Sequence, residues 1–272
     1  MLKAKKILCC FAFGGLNDVI CQTLKAIQYC KKTKRYLILD SNQSRIECDI
    51  FKYFDLEQDG ILLKKVSSPN IVFEYTSSGV RSVRGDFYKV DYEKKYKNYF
   101  LINANNSQTC DDVNSFFKIT RMKQPLLNCI KSRYKQLPKN YTSVHVRNTD
   151  YSSDVLSFLE NNKDKLARKN IFLASDNTET LDYLTREFES LGSVVFSFSN
   201  IPKFDHSFEG GIHKYKVKDK NQLNIDAIAD LVLLSLSENY YFAPSKSWYS
   251  LSAKKMHEDN ECRTKILNQL IE

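Results

Sequence analysis

The chain has 272 residues, of which 42% are hydrophobic and 12% aromatic, a composition that supplies real cores and argues against disorder. Lysine and arginine total 41 against 32 acidic residues, a formal charge of +9. That balance suits an anionic partner such as a nucleotide diphosphate, nucleic acid or an anionic membrane face. No segment approaches the roughly 20 apolar residues of a membrane span, so the chain reads as soluble or peripheral. Lys3, Lys5 and Lys6 precede the apolar run Ile7 to Phe13, but Gly14-Gly15 end it without a small-residue cleavage pattern. The 8 cysteines include no CxxC pair, and none falls with the 4 histidines at a zinc-like spacing. Cys9, Cys21 and Cys30 lie in apolar-periodic segments and read as buried thiols. A reducing, cytoplasmic compartment is the expectation.

Ile7 to Phe13 is a near-continuous apolar run, the pattern of a strand buried on both faces. Gly14-Gly15-Leu16-Asn17-Asp18 follows as a tight loop, with Asn17 or Asp18 placed to cap a helix from about Val19 to Lys32. Lys31, Lys32 and Lys34 suit the negative end of its dipole. Tyr36 to Asp40 is the next strand, completing a βαβ unit whose glycine loop can bring backbone N–H groups to an anion. The loop is not GxGxxG, which weakens a dinucleotide reading. Residues 41–135 are less regular, with short strands at Ile71 to Tyr75 and Phe100 to Ile102 and a helix over Lys123 to Gln136.

Pro138-Lys139-Asn140 is a turn and marks the expected boundary between domains 1–138 and 139–272. In Tyr141 to Asp150, Val144 and Val146 alternate with His145 and Arg147 before the segment turns polar. An imidazole and a guanidinium thus sit near the carboxyl end of a strand, where open α/β sheets bind ligands. Arg147 has the planar donors that pair with phosphate oxygens. A helix over Asp154 to Lys169 leads to the strand Ile171 to Ser175, closed by Asp176-Asn177, which can cap the helix Thr178 to Ser190. Val194 to Phe198 is a strand. Ser199 to Gln222 is a long polar loop with His206, Gly210-Gly211 and His213, of a length often tied to function. On the helix Asn224 to Leu236, Asp226 and Asp230 share one face, with Ile228, Leu231 and Leu234 on the buried side. Tyr240 to Ala243 is a strand, Pro244 to Ser247 a turn, and two helical stretches follow from Trp248. Arg147, Asp150, Asp176, Asp230, Ser245 and Ser247 together describe one crevice, with a cation for phosphate and acceptors for a base or sugar.

These segments resemble the GDP-fucose-dependent fucosyltransferases, the superfamily of the alpha-1,2 and alpha-1,6 enzymes and the protein O-fucosyltransferases. His145-Val146-Arg147-Asn148-Thr149-Asp150-Tyr151 is similar to the family's HxRRxD(Y) motif, and Ile171 to Asn177 to its strand ending in S/T-D-D. Asp230 to Ser235, with Ser245-Lys246-Ser247-Trp248-Tyr249-Ser250, resembles the D-x-x-L-M/L-S helix and the SFSWWA turn of bacterial alpha-1,2 enzymes. Gly14 to Gln22 is similar to their GGLGNQxxQ opening. The chain departs from the pattern at Asn148, where the second Arg stands, at Asn177, where the second Asp stands, at Lys246 in place of an aromatic, and in the missing third Gly.

The resemblance implies an α/β, GT-B-like architecture: two Rossmann-like domains facing across a cleft, acceptor on the N-terminal side and nucleotide sugar on the C-terminal side. It implies an inverting, metal-independent transfer of fucose from GDP-fucose to a glycan acceptor, with no cofactor. Arg147 would offset charge on the departing diphosphate, helped by N–H groups near Gly14, Gly15 and Asn17 and near Ser245 and Ser247. His145 would orient neighbours or touch phosphate, and Asp176 and Asp230 would bind or shape the guanosine pocket. Asp18, Asp150 and Asp154 are candidate bases for the acceptor hydroxyl, needed only if the diphosphate does not take that proton. The expected setting is surface polysaccharide or lipopolysaccharide synthesis in the cytoplasm, with a peripheral membrane contact and a lipid-linked acceptor. Three alternatives stay open: a same-fold transferase for another nucleotide sugar, an inactive glycan-binding relative, and a basic nucleotide- or nucleic-acid-binding protein. For the last, Tyr88 to Phe100 has the composition, but no nucleic-acid motif accompanies it and no nucleic-acid partner is expected.

Overall fold

The structure is a computed structural model that describes residues 6–42, 44–57, 73–76, 79–82, 90–98, 100–104, 112–149, 153–202, 217–244 and 247–272. By its internal contacts the chain divides into two compact units, 1–121 and 122–272.

The first unit runs β1 (Ile7–Phe11), α1 (Leu16–Thr33), β2 (Tyr36–Asp40), β3 (Phe54–Leu56), β4 (Phe73–Thr76), β5 (Gly79–Ser82), β6 (Phe100–Ala104) and α2 (Val113–Ile119), and ends in β7 (Thr120–Met122). β1 lies between β2 and β6 and is parallel to both. Its unbroken apolar sequence follows from cover on both faces. Leu8 and Cys10 share a cluster with Ala26, Ile27 and Cys30 of α1, while Cys9, Phe11 and Phe13 pack with Ile38 and Ala104. α1 starts earlier than expected, at Leu16, with Gly15 as its N-cap. Neither Asn17 nor Asp18 precedes the helix; instead Asp18, in the first turn, reaches back and its Oδ2 accepts the Gly15 N–H at 2.9 Å. Lys34 closes the helix in a left-handed conformation, its N–H on the carbonyls of Cys30 and Lys31. Cys9 and Cys30 are buried free thiols, with burial pushing both up to about 12. Cys21 corrects the expectation: it is buried but disulfide-bonded. Helical periodicity placed it inside and carries no information about a covalent partner.

The second unit runs α3 (Gln124–Tyr134), β8 (Thr142–Val146), α4 (Val155–Leu166), β9 (Asn170–Ser175), α5 (Thr178–Ser190), β10 (Val194–Phe196), α6 (Lys220–Leu236), β11 (Asn239–Phe242), α7 (Trp248–Glu258) and α8 (Asn260–Ile271). The sheet is parallel, in the order β10-β9-β8-β11. α3, which precedes the expected boundary at 138, packs on α6 and α8 of this unit. β8 is buried along its whole length. Val144 and Val146 join Phe158, Leu166, Leu184 and Phe188 in one core cluster. The polar residues of the alternation are covered too, because helices rather than water satisfy them: Ser143 Oγ donates to Leu234 O on α6 at 3.0 Å. α6 begins at Lys220 behind the cap Asp219, one turn before the expected start, and from Asn224 to Leu236 it is buried except at Ala227. Among the described residues no helix is long and apolar enough to cross a membrane.

Candidate functional site

In the second unit the chain moves outward from β8 to β9 and β10, then returns on the other side of β8 as β11. In open α/β sheets such a reversal is where a ligand crevice forms, here at the carboxyl ends of β8 and β11. Arg147, Asn148 and Thr149 emerge there from β8; β11 leads through Ala243 toward the first turn of α7. The two sides are tied at the mouth, where Ala243 N–H donates to His145 O at 3.1 Å.

Asp176, after β9, organises the loop that carries Arg147. Its Oδ1 accepts the Asn148 N–H at 2.7 Å and its Oδ2 accepts the Thr149 hydroxyl at 2.6 Å. Arg147 Nε stands 3.8 Å from the same Oδ2, and both side chains are largely buried. Asn148 Nδ2 donates to Thr180 Oγ1 at 2.8 Å, and Asn148 Oδ1 accepts the Ser153 N–H at 3.2 Å. Ser153 Oγ donates to the Arg147 carbonyl at 2.5 Å. A guanidinium is thereby held on a loop tied at three successive residues, by the backbone of Arg147 and Asn148 and the hydroxyl of Thr149.

His145 faces inward from β8. Its Nδ1 shares a 2.7 Å hydrogen bond with Ser250 Oγ on α7, and its ring lies 5.0 Å from that of Tyr249. Burial, with the Arg147 charge beside it, pushes the imidazole down to about 3, so it is neutral near pH 7. The geometry makes His145 a strut between β8 and α7. Tyr249 extends the strut, since its hydroxyl donates to Ala227 O on α6 at 2.6 Å. Ser247 is the N-cap of α7, fully buried, with its Oγ accepting the Ser250 N–H at 3.3 Å. The positive end of this helix is therefore set beside the same crevice.

Asp230 is engaged elsewhere in the unit. Arg133 of α3 binds Asp226 through Nη2 and Asp230 through Nη1, the latter at 3.2 Å. Ser199 Oγ donates to Asp230 Oδ2 at 2.6 Å, and Gln222 Nε2 to Asp226 Oδ1 at 2.9 Å. One guanidinium serves two buried carboxylates. Burial, only partly countered by Ser199 and Arg133, pushes Asp230 up to about 7. Phe198 lies under the arginine and stacks on Phe172 of β9.

In the first unit, Gly14, Gly15, Asn17 and Asp18 lie at the carboxyl end of β1, also a strand-order reversal because β2 and β6 flank it. Gly14 has φ +93, and a Cβ there would fall 2.4 Å from Asp18 Oδ2. Gln22 fixes the loop from below: its side chain donates to Phe13 O at 2.7 Å and accepts the Phe13 N–H at 3.1 Å. Asp154 is exposed and caps α4, taking both the N–H and the hydroxyl of Ser157, which lowers its pKa.

Asp150 and Ser245, with Lys246, His206, Gly210-Gly211 and His213, lie outside the described residues. Arg147, His145, Asp176 and Ser247 are brought together by β8, β9 and α7. Asp230 stands in the α3–α6 network, and the glycine loop belongs to the other unit. Sequence reading missed Arg133, Thr180, Ser153 and Ser199. Only a buried position on a helix hints at Arg133, and no spacing rule links it to its partners. Among the described residues, no group of three or more His, Cys, Asp or Glu is placed to hold a metal ion.

No protein-family model and no curated protein matches the chain. Solved structures do. The alpha-1,6-fucosyltransferase NodZ from Bradyrhizobium, in a crystal soaked with GDP-fucose, is 15% identical with a TM-score of 0.62, over 93% of this chain and 92% of that one. POFUT1 in its apo form is 10% identical with a TM-score of 0.55, over 95% and 96% of the two chains. A variant of Arabidopsis thaliana FUT1 in complex with GDP is 14% identical with a TM-score of 0.54, over 93% of this chain and 69% of that one. The chain has the α/β, GT-B-like fold of these fucosyltransferases.

Proposed function

We propose that the chain is an inverting glycosyltransferase that moves fucose from GDP-fucose to a glycan acceptor. The observation that carries this reading is Arg147, held by the Asp176 loop at the strand-order reversal of a unit whose fold is that of fucosyltransferases. The nucleotide sugar is assigned to the second unit, residues 139–272 in the main, and the acceptor to the first. In the transfer, an acceptor hydroxyl attacks the anomeric carbon and the bond to the diphosphate oxygen breaks. GDP departs carrying the developed negative charge. Arg147 and the N–H groups at the start of α7 offset that charge, so the reading expects no metal requirement. Asp176 serves by directing Arg147. Asp230 serves by bracing α6, and His145 by bracing β8 against α7. The hydroxyl proton passes to the diphosphate or to a base, with Asp18 and Asp150 as candidates. Asp154 ranks below them, since Ser157 hydrogen-bonds both of its carboxylate oxygens.

The expected place of work is the cytoplasm, against an anionic membrane carrying a lipid-linked acceptor for surface polysaccharide or lipopolysaccharide. The charge of +9 and the six free cysteines among the described residues support it, and the disulfide at Cys21 weighs against it. A thermal-shift panel of GDP, GDP-fucose, GDP-mannose, UDP, CMP and ADP in EDTA tests the reading. The expected result is stabilisation by GDP and GDP-fucose that Arg147→Ala abolishes. A response to UDP or CMP alone would point to another donor. A salt-dependent response to random oligonucleotides, with none to GDP, would replace the transferase by a nucleic-acid binder.

A further inference from the structure

We infer that Asn148 is a positioning residue for Arg147, acting by locking the loop after β8 onto α5 and not by touching the ligand. The inference rests on the GDP-sugar reading of this crevice. Three polar groups of Asn148 have a protein partner. Its backbone N–H goes to Asp176 Oδ1 at 2.7 Å, its Nδ2 to Thr180 Oγ1 at 2.8 Å, and its Oδ1 takes the Ser153 N–H at 3.2 Å. The residues on either side are tied as well: the Arg147 carbonyl accepts Ser153 Oγ at 2.5 Å, and the Thr149 hydroxyl donates to Asp176 Oδ2 at 2.6 Å.

Thr180 supplies the fixed end of this lock. It is 6% exposed in the first turn of α5, and its own N–H is capped by Asn177 Oδ1 at 2.8 Å. The amide of Asn148 is suited to its place because it offers a donor and an acceptor at once. Holding the backbone on both sides of Arg147 restricts where the guanidinium can point before any ligand arrives. That restriction lowers the ordering cost of binding an oxyanion and aims the charge where it develops.

The test uses the full chain with GDP in calorimetric titrations and with GDP-fucose in hydrolysis kinetics, for wild type, Asn148→Ala, Thr180→Val, the double variant and Asn148→Arg. Loss of the lock is expected to weaken GDP binding about five- to tenfold in each of the first two variants, in keeping with one buried hydrogen bond. The double variant should lose no more than Asn148→Ala alone, because Asn148→Ala already removes the one hydrogen bond that Thr180→Val removes. The kcat for hydrolysis should fall more than KM rises. Asn148→Arg adds a cation beside the diphosphate, yet should also weaken binding because it breaks the lock. Tighter GDP binding by Asn148→Arg, or additive losses in the double variant, would overturn the inference. Thr180→Val keeps the helix and its cap, so a folded protein remains available if Asn148→Ala unfolds. A folded wild type that binds no GDP defeats the nucleotide-sugar reading itself, and the inference with it.

Discussion

At the scale of single residues, two buried titratable groups in the second unit pull stability in opposite directions with pH. His145 sits at about 3 when folded, against a reference of 6.5. Between those values the unfolded chain holds the extra proton, so stability from this group rises with pH. Asp230 sits at about 7 when folded, against 3.8. Between those values the folded chain holds the extra proton, so stability from this group falls as pH rises. Asp230→Asn removes the falling contribution. Its urea midpoint should therefore climb more steeply than that of wild type from about pH 4 to about pH 7; an unchanged slope would show that Asp230 is not protonated in the fold. Arg133→Ala is expected to be worse than either carboxylate change. It leaves Asp226 and Asp230 buried without their counter-charge, a loss of about 3–5 kcal/mol.

At the scale of elements, the geometry of each site loop depends on how a helix begins. α1 starts at Leu16, behind the cap Gly15 whose N–H Asp18 accepts, and Gln22, a turn later, holds both polar groups of Phe13. Gln22→Ala would remove both of these buried hydrogen bonds to Phe13 and should cost about 1–3 kcal/mol, read by chemical denaturation. The start of α7 depends on a serine cap instead. Ser247→Ala should cost about 1 kcal/mol and loosen the turn beside His145. If Ser247 also meets the diphosphate, GDP affinity will drop beyond what that loss of stability produces. An affinity unchanged in a folded Ser247→Ala protein would confine the residue to capping.

For the molecule as a whole, the two units have the same plan, a parallel sheet with a strand-order reversal that ends in polar loops. The proposal gives them different ligands. Hydrogen exchange on the full chain should show GDP protecting amides at 142–149 and 247–251, with those of β1 and β2 unchanged. Protection centred on the first turn of α1 would reverse the assignment of donor and acceptor between the units. The pattern reads local opening directly, so it does not depend on finding an acceptor.

The sequence by itself determined the alternation of strands and helices, because each element carries its own period. β1 is a run of apolar residues, β8 alternates, and α1 and α5 repeat at helical spacing. It also placed Arg147 at a strand end and the helix cap within Asp176-Asn177, both signals contained within a few residues. Tertiary structure alone decided what those residues touch. Arg133 finds Asp226 and Asp230 across 93 and 97 positions of chain, and Asn148 finds Thr180 across 32. The burial of His145 and the hydrogen bond of its Nδ1 with Ser250 depended on α7, more than a hundred residues later in the chain. A local pattern reports the face a residue presents. Only the folded chain fixes which charge or hydroxyl meets it there, and that partner decides whether a side chain binds a ligand or holds another side chain in place.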